Sequence, residues 1–96
     1  MFDLFWNDTD GSLKFEYYED KVFAHAQAYN WNKSIYLKFK DIWHVAKEEL
    51  LEAGFKEIYV AIPADNKKLV KFETMFGFKP VKKQNGVLLM VCSTEK

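Results

Sequence analysis

The stretch that most constrains this chain is GFKEIYVAIPADNKKLVKFETMFGFKP, Gly54 to Pro80. A short apolar run, Ile58 to Ile62, lies between two segments of helical spacing. Each segment closes on Gly-Phe, at Gly54-Phe55 and Gly77-Phe78. A run that is apolar at successive positions reads as a strand buried on both sides. A helix leading into such a strand makes a crossover, and crossovers join parallel strands with a right-handed sense. The fold must therefore contain a sheet with a parallel pair at its centre.

The flanking segments supply the rest. Ahead of Gly54, residues Ile35, Phe39, Ile42, Ala46, Leu50 and Ala53 recur at helical spacing, with charges mostly between them. Ser34 or Asn32 can cap this helix, which runs for about five turns. Beyond Pro63, Asp65 or Asn66 caps a second helix reaching about Phe76. Its expected inner face is Leu69, Val70, Phe72, Met75 and Phe76. Toward the N-terminus, Phe2 to Trp6, Ser12 to Tyr18 and Val22 to Tyr29 read as a meander with tight turns at NDTDG and YEDK. At the other end, Phe78 to Lys83 and Val87 to Ser93 form a hairpin around Asn85-Gly86. The expected order is β-β-β-α-β-α-β-β, an α/β chain with a mixed sheet and helices over its faces, spanning 1–96 as a single domain.

Composition narrows the function classes. Lys and Arg number 14 against 14 Asp and Glu, which gives no electrostatic footprint for nucleic acid or for an anionic membrane. Cys92 is the one cysteine, so neither an internal disulfide nor a cysteine-based zinc cluster is available, and no metal is expected. The N-terminal MFDLFWNDTDG lacks the pattern of a secretion signal, and no run is long enough to span a bilayer. A cytoplasmic setting is the expectation.

The element order, together with IPADNKKLVKFETMFGFKP, resembles the GNAT superfamily of N-acetyltransferases over roughly Val22 to Val91. The strand ending near Pro63, Asn66 opening the short helix, and Gly77-Phe78 closing it carry the resemblance. Small GNAT-like proteins encoded by bacteriophages look most similar, which implies a phage protein acting in host cytoplasm. The family implies acetyl-CoA as cofactor and a primary amine as acceptor. The pantetheine arm would lie between the parallel strands, where backbone N–H groups polarise the thioester.

The chain departs from that pattern in three ways. The family's N-terminal strand and two helices, which help to build the acceptor groove, have no counterpart here. The glycine-rich pyrophosphate loop is replaced by YNWNKSIYLKF, without a glycine. Glycines let backbone N–H groups approach phosphates, and a helix N-terminus adds partial positive charge. Here Asn32, Lys33, Ser34 and Ile35 are the residues left to hold the anion, with Asn66 toward the pantetheine. Thirdly, Glu73 stands where many members carry a tyrosine that protonates the departing thiolate. A carboxylate donates a proton near neutral pH when burial raises its pKa considerably.

His25 is the candidate base on the inner strand, set against a plain hydrogen-bonded histidine. His44, mid-helix, reads as a surface residue. Asn66 serves equally as a helix cap. Glu16, Glu19 and Asp20 fit a solvated turn, the lysines of NKKLVK fit an exposed helix face, and Cys92 fits packing. Aromatics make up 18% of the chain. Phe2, Phe5, Trp6, Tyr17, Tyr18, Phe23, Tyr29, Trp31, Tyr36 and Trp43 exceed what one side of a small sheet can hide. Some should remain exposed as an interface, or else fill the core in place of the missing helices. Two functions follow: a non-catalytic domain that binds a protein partner or its own copies through aromatic surface, or an acetyl-CoA-dependent N-acetyltransferase.

Overall fold

The computed structural model describes residues 2–95. The elements are β1 (Phe2–Asn7), β2 (Gly11–Tyr18), β3 (Lys21–Ala28), α1 (Lys33–Glu52), β4 (Glu57–Pro63), α2 (Lys67–Met75), β5 (Lys79–Gln84) and β6 (Val87–Ser93). This is the order the sequence predicts. The strands form one six-stranded sheet in the order β1-β2-β3-β4-β6-β5. β1, β2 and β3 are the antiparallel meander, β3 and β4 are parallel, and β6 runs antiparallel between β4 and β5.

The helices do not cover both faces, as the sequence suggested; they share one. The crossovers β3-α1-β4 and β4-α2-β5 each join parallel strands and step across the sheet in the same direction. Right-handed connections then place both helices on the same side. The two helices touch directly. Trp43 Nε1 of α1 donates to the Phe76 carbonyl at the end of α2 at 3.1 Å. Phe39 meets Phe72 and Phe76 edge to face, with ring centroids 6.2 and 6.4 Å apart.

The core lies between this helix layer and the sheet. Phe15, Val22, Ile58 and Met90 are its largest fully buried side chains. α1 lays Ile35, Phe39, Trp43, Ala46 and Leu50 into it, at the spacing of one helix face. β4 contributes Ile58, Val60 and Ile62, but Ala61, between them, is exposed. The apolar run is therefore buried on one side, not on two.

Two local features fix the meander against α1. The register of β1 on β2 shifts between Leu4 and Trp6. This bulge turns two successive aromatics, Phe5 and Trp6, toward the core. In the β1–β2 turn, Lys38 of α1 donates to both Asp8 and Asp10. Asn32 and Asn66 are the helix caps; their side-chain oxygens accept from Ile35 N and Leu69 N at 3.0 and 3.1 Å. Ser34 lies inside the first turn of α1, and Asp65 precedes the α2 cap.

Candidate functional site

β3 and β4 pair at one position, Phe23 with Tyr59. Beyond it the strands part, and α2 covers the gap. The sequence prepares this opening with alanines: Ala24, Ala26 and Ala28 are the helix-side residues of β3. Under the helices, next to the parted strands, lies a small apolar cavity of about 20 Å³, lined by Ala24, Ala26, Val60, Trp43, Phe72 and Glu73, among others. An open groove of about 310 Å³ adjoins it, bounded by Ala26, Ala28, Asn66, Lys68, Leu69 and Phe72. Ala26 and Phe72 border both spaces, so groove and cavity follow one path along α2.

Glu73 stands at the inner end of this path and is 6% exposed. Helical spacing puts it there. Leu69, Val70, Glu73 and Phe76 lie on one stripe, and Glu73 is the buried residue of α2. The expected inner-face residue Met75 is 40% exposed instead; it falls outside the stripe, and its apolar character was misleading. Burial pushes the Glu73 carboxyl from its ordinary 4.5 up to about 7. At neutral pH such a group holds a proton on part of the molecules, so it can donate or accept one. The end of α2 is held firmly beside it. The Glu73 carbonyl accepts from Phe76 N and Phe78 N, and Gly77 takes a left-handed φ of 95°.

His25 lies elsewhere. It alternates with Ala24 and Ala26, so it sits on the uncovered face of the sheet, where its Nε2 is 3.0 Å from Glu16 Oε1. The structure does not bring it beside Glu73. His44 is exposed on α1 and pairs with Glu48 at 3.1 Å. Burial pushes the Cys92 thiol up, and its sulfur faces the Phe76 and Ser93 carbonyls at 3.7 and 3.4 Å. This is a packed thiol, not an activated one. Among the described residues, no group of three or more His, Cys, Asp or Glu side chains has metal-site geometry. No helix there is long and apolar enough to cross a membrane.

At the N-terminus of α1, Asn32, Lys33, Ser34 and Ile35 stand together as expected. The Ile35 N–H is taken by the Asn32 side chain. Trp31 was legible as a bulky residue but not as a link to α2. Its ring lies 5.3 Å from Phe72, 5.8 Å from Phe39 and 6.0 Å from Tyr36. It bridges the start of α1 to α2 through Phe72, which borders the groove. No sequence signal could find this, because Phe72 lies about thirty to forty positions from the other three rings. Of the aromatics expected at the surface, Tyr18, Tyr29 and Trp31 are exposed, while Trp43 is buried. The side chain of Phe2 lies outside the described residues.

Solved structures share this architecture. The PaiA N-acetyltransferase of Thermoplasma acidophilum, crystallised in complex with coenzyme A, matches with a TM-score of 0.69 at 16% identity, over 86% of this chain and 52% of that one. The chain has a GNAT-like fold. SsHAT matches with a TM-score of 0.67 at 17% identity, over 78% of this chain and 37% of that one. A domain from Methanocaldococcus jannaschii gives 0.66 at 17%, over 86% and 55%. The chain thus spans between about a third and just over half of these GNAT-like structures. No family model matches it, and no curated protein does.

The residues present can be tested against coenzyme A. The outer groove suits an extended arm, since it is open, floored by alanines and flanked by Lys68 and Asn66. The inner end does not suit it. About 20 Å³ accommodates little more than one water-sized group, whereas a thioester needs room for a sulfur and an acyl group. The phosphate end has first-turn N–H groups but no bare backbone, and Trp31 stands beside it. In this arrangement the chain does not seat the whole cofactor.

Proposed function

We propose that this chain is a GNAT-fold binding domain that works through its surfaces rather than by acyl transfer. One observation carries the reading. The path where a GNAT-like fold would take its thioester is closed by the chain's own rings, Phe39, Phe72 and Phe76, down to about 20 Å³. These rings lie edge to face or tilted at contact distances, each pair adding about 0.5–1.5 kcal/mol beyond its buried area. Opening the path would forfeit several such contacts. The fold neighbours support the scaffold alone, because function resides in the site and not in the fold.

Glu73 favours a second reading. A buried carboxyl that titrates at about 7 at the end of the groove is suited to protonate a departing thiolate. On that reading Trp31 and Phe72 swing aside and the chain is an acetyl-CoA-dependent N-acetyltransferase, with Asn66 and Lys33 on the cofactor.

Calorimetric titration with acetyl-CoA separates the two. The binding-domain reading expects no saturable heat up to about millimolar cofactor. Saturation of the wild-type protein at micromolar concentration, with Glu73→Gln lowering acetyl transfer but not binding, would overturn it in favour of the enzyme.

A further inference from the structure

The uncovered face of the sheet is not a solvated polar surface. Across its centre run Phe23, Tyr59, Ala61, Leu89 and Val91, brought side by side by the register of β3, β4 and β6. The rings of Phe23 and Tyr59 are already packed together, with centroids 5.7 Å apart. Around this band the same face carries Lys14, Lys21, Lys79 and Lys82 against Glu16 and Glu57, with Asp20 paired to Lys21 at 3.5 Å, so its lysines slightly outnumber its carboxylates.

The outer face of α1 lies on the opposite side of the molecule. By the 3.6-residue period, the outer face of α1, pointing away from the core, carries Leu37, Asp41, Val45, Glu48, Leu51 and Glu52, together with Lys33 and with His44, which pairs with Glu48. Leu37, Val45 and Leu51 are 49%, 48% and 38% exposed. This is an acidic ridge with apolar side chains along it. It has the character that a helix needs to cover a sheet face with an apolar centre and lysine margins.

The exposed area points the same way. A folded monomer of 11.4 kDa should expose about 5,800 Å². This chain exposes 6536 Å². The surplus, roughly 700 Å², is on the scale of the ~800 Å² that one partner hides at one standard junction; a copy inside a stack would hide about twice that.

We propose that the chain associates with copies of itself head to tail, the outer ridge of α1 on one copy docking on the open sheet face of the next. This deepens the binding-domain reading by naming the partner as a second copy. The two surfaces differ and lie on opposite sides, so the contact is heterologous: it extends into a ring or a stack rather than stopping at a symmetric dimer. Each junction would repeat the helix-on-sheet layering already present within the chain.

The test is molecular mass by sedimentation, with two exposed-site variants. Ala61→Glu spoils the sheet face and keeps the ridge; Val45→Lys spoils the ridge and keeps the sheet face. The wild-type protein is expected to grow past the mass of two copies as its concentration rises. Each variant alone is expected to be monomeric. An equimolar mixture should form a dimer and stop there, because the intact ridge of one variant meets the intact face of the other. Circular dichroism verifies the fold, and Leu37→Lys replaces Val45→Lys if the latter unfolds. A wild-type protein that stays monomeric to about 1 mM overturns the proposal, as does a mixture that stays monomeric. A dimer that never grows would also overturn it, by showing a symmetric contact. None of these outcomes bears on coenzyme A, whose titration separately decides the binding-domain reading.

Discussion

Replacing Glu73 by glutamine should stabilise the protein, and by an amount set by pH. The carboxyl titrates at its ordinary 4.5 in the unfolded chain and at about 7 in the folded one, because burial disfavours its charged form. Between those values the folded state holds a proton that the unfolded state has released. Stability therefore falls as pH rises through this window and is level on either side of it. At 1.36 kcal/mol per pH unit, the wild-type protein gives up roughly 3 kcal/mol between about pH 4 and about pH 8. Glu73→Gln keeps the shape and has nothing to titrate. The two proteins should differ by a constant amount below about pH 4.5. The gap should then widen in favour of the variant to roughly 3 kcal/mol above about pH 8, or roughly 15 °C in Tm for a domain of this size. Urea unfolding followed by tryptophan fluorescence at several pH values measures that gap, and every other titrating group cancels in the difference. A gap that stays flat from about pH 4 to about pH 8.5 would refute the reasoning and place the Glu73 carboxyl in water.

Two further substitutions test the frame around the site. At Gly11 an added Cβ would lie 2.5 and 2.9 Å from the Phe39 ring and also press on the Gln27 carbonyl, so Gly11→Ala should cost at least about 2 kcal/mol in chemical unfolding. The Lys38 ammonium hydrogen-bonds Asp8 and holds its carboxyl below the ordinary 3.8. That contribution is present above 3.8 and is lost as pH falls through the folded-state value. Asp8→Asn should therefore melt below the wild-type protein at neutral pH and converge with it in acid, as thermal melts below about pH 4 would reveal.

What the sequence by itself determined was local. Periodicity, Asn32 and Asn66 as caps, Gly54 and Gly77 as stops, and Asn85-Gly86 as a turn each act over a few residues, so the element order was readable. Glu73 was legible only as a position in the short helix, and the expected inner face of that helix left it out. Tertiary structure decided the rest. Both helices lie on one face because two right-handed crossovers step the same way across the sheet, and no single segment records that direction. Consequently β4 is buried on one side only, although its sequence is apolar on both. Burial lifts the Glu73 carboxyl to about 7 because the rings of α1 and α2 close over it, and Trp31 reaches α2 through Phe72, about forty positions away. Burial, and with it the chemistry a side chain can perform, depends on which distant atoms displace water, and that is fixed only when the layers meet.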